Sequence, residues 1–371
     1  MFSFFRKRRP RILVGMSGGV DSSVSAALLL QQGYDVVGGF IKNWSDTKDL
    51  WTGECAWRGE RRDAMRVCAQ LGIPLLTFDF EAMYRERVLG RLFDGYAEGQ
   101  TPNPDVLCNE EIKFGLFFDE AMKRGFDGIA TGHYARIHKD ADGTAHLLKG
   151  IDPAKDQSYF LYRVSQQALA KSFFPIGGFT KPEVRLKAES FALPTAQKPD
   201  SQGICFVGKL NFHDFLRKKI APTPGDIVTP SGDVVGRHDG LDAYTIGQRQ
   251  GLMVSTGRRA WYVAQKRFSE NQLVVVDDHD HPLLLALQAS VRDLHWCAGR
   301  SPHELASPQG LELDVQIRYH QPPVRAQATQ TSDGLKLRFF EPVWALAPGQ
   351  SAVLYQGDEC LGGGILGQVV E

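Results

Sequence analysis

The segment Arg11–Gly33, RILVGMSGGVDSSVSAALLLQQG, constrains the fold more tightly than any other part of the chain. Arg11 to Gly15 form a short run rich in β-branched residues and suited to a buried strand, while Asp21 to Gln32 carry apolar residues at helical spacing, ended by Gly33. A strand, a tight turn and a helix therefore follow one another. The pattern recurs: Asp35 to Ile41 reads as strand, Glu60 to Leu71 as helix, Pro74 to Phe80 as strand, and a long helix runs to about Glu98. A further helix from about Glu110 to Arg124 precedes a strand at Asp127 to Thr131. Strands alternating with helices predict a parallel sheet covered on both faces, with ligands bound beyond the carboxyl ends of its strands, where Gly15 to Ser23 fall.

After about residue 210 the texture changes. Short β-rich runs at Gly225 to Val228, Asp242 to Ile246, Trp261 to Ala264 and Gln272 to Val276 are separated by Gly, Pro and Asp turns. Leu311 to Arg318, Leu335 to Phe340, Ser351 to Tyr355 and Gly364 to Val369 alternate in the same way and fit a small antiparallel barrel or sandwich.

Composition excludes several classes. With 43 basic and 43 acidic side chains the net charge is zero, so contact with nucleic acid has to come from local patches. Apolar runs fall short of the ~18–20 residues needed to span a bilayer, and MFSFFRKRRP at the start lacks a hydrophobic region with a cleavage site. A cytoplasmic protein without membrane contact is expected. The six cysteines, Cys55, Cys68, Cys108, Cys205, Cys297 and Cys360, contain no C-x-x-C pair, which argues against a disulfide scaffold, a zinc ribbon or a closely ligated iron–sulfur cluster.

The turn GMSGGVDSS presents backbone N–H groups and the positive end of a helix dipole, the elements of an anion site. Glycines allow close approach, and Ser17, Ser22 and Ser23 add hydroxyls. The usual phosphate loop carries a lysine; here Asp21 stands instead, a carboxylate suited to a metal ion bridging phosphates. The string SGGVDSS after a strand resembles the loop of the ATP pyrophosphatase superfamily, whose members cleave ATP between the α- and β-phosphates and adenylate a substrate oxygen.

Two further stretches hold cysteines of interest. In TPNPDVLCNEEIKF, residues 101–114, two prolines stiffen the loop before Cys108, and a position near a helix N-terminus would lower its pKa; a buried inert thiol is the alternative. Asp105, three residues earlier, is placed either to act as general acid or base or to cap the following turn. In KPDSQGICFVG, residues 198–208, Cys205 follows a polar turn.

Taken together, GMSGGVDSSV, KNW, TPNPDVLCN, ATGHYAR, LLKGIDPAKDQSYFLY, FPIGGFTKPEVR, DSQGICFVG and GRHDGLDAYTIGQRQGL resemble the tRNA-uridine 2-sulfurtransferases of bacterial type, the tRNA-specific 2-thiouridylases, along nearly the whole chain. The resemblance implies an α/β domain of the adenine-nucleotide alpha hydrolase type over residues 1–210, a central β-rich tRNA-binding domain over 211–288 and a C-terminal antiparallel β-barrel over 289–371. It implies ATP and Mg²⁺ as cofactors, tRNAs for Lys, Glu and Gln as substrates, and a sulfur-relay protein as partner. Gly15, Met16, Ser17, Gly18, Gly19, Val20, Asp21 and Ser22 would hold the phosphates, Ile41 the adenine or ribose, and Gly132 would approach from the second side. Cys205 would carry the persulfide and Cys108 release its sulfur, leaving a Cys108–Cys205 disulfide; alternatively the persulfide attacks directly and Cys108 resolves the product. Asp105 would be the acid–base partner, with Asn103, Pro104 and Asp105 against the target base. His133, Lys155, Asp156, Gln157, Arg318, Tyr319 and Gln350 would contact tRNA. Two departures stand out: His320 where an arginine is common, and a less acidic stretch between Trp44 and Arg61.

Other readings keep part of this pattern. An adenylating amidotransferase or ligase would share the loop but have no use for two distant cysteines, a cluster-dependent thiolase would need C-x-x-C, and an RNA-binding module with a vestigial loop would bind tRNA without releasing pyrophosphate.

Overall fold

The computed structural model describes residues 8–45, 55–200, 217, 219–254 and 260–369. The first strand, β1 (Arg11–Gly15), leads through the glycine-rich turn into α1 (Val20–Gln31), and β2 (Asp35–Lys42), α2 (Ala56–Leu71) and β3 (Leu75–Asp79) follow as the sequence pattern predicts. A helical rod then joins α3 (Glu81–Tyr84) to α4 (Arg91–Ala97) through a π-helical segment, Arg85–Gly90. A second rod runs from α5 (Pro104–Cys108) through another π-helical segment, Asn109–Leu116, into α6 (Phe117–Lys123). This rod starts six residues before the expected Glu110, because Pro104 sits at its first turn with Asn103 as its cap.

After β4 (Gly128–Ala130) the chain makes the hairpin β5 (Ala135–Lys139) and β6 (Ala145–Lys149), then α7 (Gln166–Ala170), β7 (Ser172–Phe173) and α8 (Lys181–Ser190). The first sheet has the order β3-β2-β1-β4-β7 and is parallel throughout. Alternate residues of its strands enter two cores: Ile12, Val14 and Phe40 pack with α1, α2 and α8, while Leu13, Val37 and Phe78 pack with the two rods. Burial on both faces is why these strands read as nearly continuous apolar runs.

A central sheet joins β8 (Gly225–Val228), β9 (Val234–His238), β10 (Tyr262–Arg267) and β11 (Gln272–Val276) in the order β10-β11-β8-β9. The strand expected at Asp242 to Ile246 is instead a 3-10 turn, Leu241–Ala243, because the chain enters it through Gly240 at φ 146° and Asp242 is tied to Arg217 at 2.7 Å. Six strands, β12 (Leu285–Trp296), β13 (Leu311–Gln316), β14 (Val324–Thr331), β15 (Gly334–Trp344), β16 (Ser351–Gln356) and β17 (Glu359–Val369), form an antiparallel barrel closed by pairing of β12 with β17. The β5–β6 hairpin adds to this sheet through β6 and β17, so the first domain and the barrel share a continuous ladder. No described helix is long and apolar enough to cross a membrane.

Candidate active site

From β1 the first sheet grows outward through β2 and β3 and then resumes on the other side at β4, which puts the switch point beyond the carboxyl ends of β1 and β4. A cavity of about 540 Å³ opens there. Its floor is the loop after β1: Gly15, Met16, Ser17, Gly19, Val20, Asp21 and Ser22 line it, with Ile41 at the end of β2.

Gly19 is the N-cap of α1 and supplies no side-chain cap, which leaves the first-turn N–H groups for an anion. Gly18 points away. Its φ is +72°, a Cβ there would lie 2.3 Å from the Glu60 carbonyl oxygen, and its own carbonyl accepts a hydrogen bond from Lys198 Nζ at 2.9 Å. Ser22 Oγ accepts from Ser17 N at 3.2 Å. Ser23 does not serve the cavity as the sequence suggests: it is fully buried, donates to the Gly19 carbonyl at 2.7 Å and accepts from Thr195 Oγ1 at 3.0 Å. Gly132, in the loop after β4, presses on the same turn; a Cβ there would lie 2.6 Å from Ser22 N and 2.8 Å from the Asp21 carbonyl carbon. Only glycine lets the two loops meet.

The lysine that the loop lacks arrives from α8. Lys181 Nζ lies 2.8 and 2.9 Å from the two Asp21 carboxylate oxygens and 2.8 Å from Asp200 Oδ1. Tyr134 donates its hydroxyl to Asp21 Oδ1 at 2.9 Å, and Lys155 reaches Asp200 Oδ2 at 2.9 Å. Burial alone would raise the Asp200 carboxyl, but hydrogen bonds from Lys181 and Lys155 outweigh it and hold it down at about 2. Sequence reasoning missed Lys181 and Asp200 as site residues, although both stood in quoted stretches, FPIGGFTKPEVR and KPDSQGICFVG. The capping box of Thr180 and Glu183, which opens α8 beside Lys181, was the local signal. Among the described residues no cluster of three or more His, Cys, Asp or Glu side chains could hold a metal ion.

One wall of the cavity is the rod that begins at Pro104. Asn103 caps it, its Oδ1 accepting from Asp105 N at 3.0 Å and Val106 N at 3.3 Å. Asp105, Asn109 and Lys113, at helical spacing, face the cavity. Cys108 does not line it and is fully buried, at 0% exposure. Because the helix starts at Pro104, Cys108 stands past its first turn and not at the helix N-terminus that the sequence suggests. Cys205 lies outside the described residues. His133 closes the wall, with Nδ1 2.7 Å from Thr131 Oγ1 and Nε2 3.5 Å from Lys113 Nζ. Burial, helped by the Lys113 charge, pushes its pKa well below 6.5 and keeps it neutral. Tyr319 completes the rim, its ring centroid 4.3 Å from that of Phe160.

Three family models match this chain: a tRNA methyl transferase HUP domain over residues 10–209, a tRNA methyl transferase PRC-barrel domain over 213–277 and an aminomethyltransferase beta-barrel domain over 288–366. The tRNA-specific 2-thiouridylase MnmA of Cupriavidus metallidurans is 48% identical over 362 residues, 96% of this chain and 99% of its own. The protein of the same name from Pseudomonas aeruginosa is 48% identical over 363 residues, 97% of this chain and 95% of its own. The chain belongs to the tRNA-specific 2-thiouridylase family.

Of the residues expected at tRNA from the sequence resemblance, Asp105, His133, Lys155, Gln157 and Tyr319 gather on the cavity. The others lie elsewhere. Asp156 turns its carboxylate inward, accepting from Gly150 N at 2.9 Å and Ser158 Oγ at 2.8 Å. Arg318 Nη2 donates to the Ile246 carbonyl at 2.9 Å and the Ala345 carbonyl at 2.7 Å, joining the central domain to the barrel. Gln350 Nε2 donates to the Thr101 carbonyl at 2.8 Å, which anchors the barrel to the loop before Pro104. Asn103 lines a second cavity on the far side of the thiouridylase rod, and Pro104 lines neither.

Proposed function

We propose that this protein catalyses ATP-dependent 2-thiolation of the wobble uridine of tRNA. The observation that carries the reading is one cavity lined both by an uncapped helix N-terminus and by the rod bearing Asp105, with Cys108 buried in the same helix as Asp105.

In this reading the triphosphate lies on the first turn of α1, between the Gly19 cap and Gly132, and the nucleoside extends toward Ile41. Bound together with the phosphates, Mg²⁺ would need only one or two protein carboxylates. Asp21, facing the cavity, supplies one, and when bound the ion offsets phosphate charge. Lys181, held on the cavity wall by Asp21 and Asp200, supplies positive charge for the pyrophosphate. The flipped wobble base enters past Tyr319 and Phe160, whose rings offer a stacking surface, and Lys155, Gln157 and His133 border its path.

The uridine C2 oxygen attacks the α-phosphate and pyrophosphate leaves, turning a poor leaving group into AMP. Cys205 holds a persulfide supplied by a relay protein. The Cys108 thiolate attacks the inner sulfur of that persulfide, a Cys108–Cys205 disulfide forms, and the released hydrosulfide adds at C2 and expels AMP. The two thiol sulfurs supply the electrons, and an external dithiol restores them. Asp105, within one helical turn of Cys108, accepts the proton lost in this exchange. The substrates are the tRNAs for Lys, Glu and Gln, met in the cytoplasm.

The test incubates the full chain with ATP, Mg²⁺, a persulfide donor and unmodified tRNA, and measures 2-thiouridine by mass spectrometry together with pyrophosphate. ATP-dependent 2-thiouridine is expected; its absence from folded protein would contradict the assignment.

A further inference from the structure

Asn109 is 2% exposed, yet it faces the cavity from the middle of the rod, one turn beyond Asp105 and one turn before Lys113. Its two amide atoms are in different situations. Nδ2 donates to the Phe160 carbonyl at 3.0 Å, whereas Oδ1 is buried with no hydrogen-bond partner among the described residues. Only the NH₂ end can donate to a carbonyl, so the contact with Phe160 fixes which end of the amide is which. What remains is an acceptor of fixed position, on a residue that lines the same cavity as the tilted ring pair of Phe160 and Tyr319.

A buried carbonyl oxygen left without a donor carries an unpaid desolvation cost, which a ligand N–H relieves. Of the two pyrimidines only uracil offers such a group at ring position 3, next to the reacting carbon; the N–H donors of cytosine sit on N4, on the far side of N3 from C2. Uracil carries a proton on N3; cytosine presents a lone pair there, which would face the Oδ1 lone pairs and repel. N3 adjoins C2, so a bond at N3–H would also hold the reacting edge of the ring in place.

We infer that Asn109 is the residue that reads uracil in this cavity, its Oδ1 accepting the N3–H of the flipped base and rejecting cytosine. The inference rests on the thiolation reading above and adds to it the residue that sets base specificity. Asp105 cannot do the same work: a carboxylate that trades protons is an acceptor in one state and a donor in the other. Asn109 is an acceptor in every state.

The test compares two tRNA transcripts that differ only in having uridine or cytidine at the wobble position, with ATP, Mg²⁺ and a persulfide donor, and measures kcat/KM for 2-thiouridine and 2-thiocytidine. Wild-type protein is expected to prefer uridine by about 100-fold or more, as sites built to pair a polar group do. Asn109→Ala should lower kcat/KM for uridine by about tenfold or more while leaving the cytidine value unchanged or raised, which brings the two within about tenfold. Asn109→Ser, which keeps a small polar group, serves as the second variant if the first does not fold, and should narrow the ratio in the same direction. A merely structural role would lower both substrates together; an unchanged ratio in a folded variant overturns the inference. So does a wild-type protein that thiolates both bases equally. No product from wild-type protein on the uridine transcript overturns the thiolation reading itself, and the wild-type reaction on uridine separates that result from the other two.

Discussion

Lys181 Nζ lies 2.8 Å from Asp21 Oδ1 although 160 residues separate the two in the chain. The ammonium also bonds Asp200, so one nearly buried cation keeps two carboxylates together on the cavity wall. Removing it leaves both facing each other and the incoming phosphates. Lys181→Met is expected to lower AMP formation at least about 100-fold and stability by about 1–3 kcal/mol, because breaking a partly buried pair strands its partners. Release of labelled pyrophosphate and chemical denaturation measure the two effects.

The close approach of Gly132 to the first turn of α1 gives a second expectation. A methyl group there must displace Ser22 N or the Asp21 backbone, neither of which is a flexible side-chain end. Gly132→Ala should weaken ATP binding about tenfold or more while the barrel and the central sheet stay folded. Nucleotide titration by calorimetry, with circular dichroism as the fold control, checks it.

Much of this arrangement was legible in the sequence because it follows from short-range rules. The strand, uncapped turn and helix from Arg11 to Gln31, and the alternation through Asp79, stand where periodicity puts them. The π-helical segment at Asn109–Leu116 was not legible, since propensity does not distinguish an i to i+5 turn from an α-turn. Nor was the β5–β6 hairpin, whose partner strand β17 lies more than 200 residues downstream, as the register of Leu148 with Glu359 shows. Lys181 and Asp200 were written in plain view but joined Asp21 only through tertiary folding. The bonds of the Arg318 guanidinium to the carbonyls of Ile246 and Ala345 were likewise not legible, because they join residues distant in the chain.

His133 sets a pH dependence. An unfolded histidine titrates near 6.5, whereas burial and Lys113 keep His133 neutral until well below that value. Between the two values the unfolded chain binds a proton that the folded chain does not, so this contribution is present above pH 6.5 and is lost as pH falls below it. The slope reaches about 1.4 kcal/mol per pH unit for one such group. Denaturation of wild type and His133→Gln at pH 7.5 and 5.5 should show the wild type losing more stability on acidification than the variant. His146, raised by its bond to Glu359, acts in the opposite sense and is common to both proteins.

Arg318→Ala removes a charged donor from two backbone carbonyls at the junction of the central domain and the barrel. A loss of about 1–3 kcal/mol is expected in chemical denaturation. A phosphate contact by the same side chain would in addition lower the salt slope of tRNA binding by about one.

The central claim is that sulfur reaches an ATP-activated uridine through Cys108 and Cys205. Single-turnover reactions of Cys108→Ser and Cys205→Ser with labelled ATP, tRNA and a persulfide donor test it most directly. Both variants are predicted to release pyrophosphate and form adenylated tRNA while making no 2-thiouridine. Either variant thiolating tRNA at the wild-type rate would contradict the account.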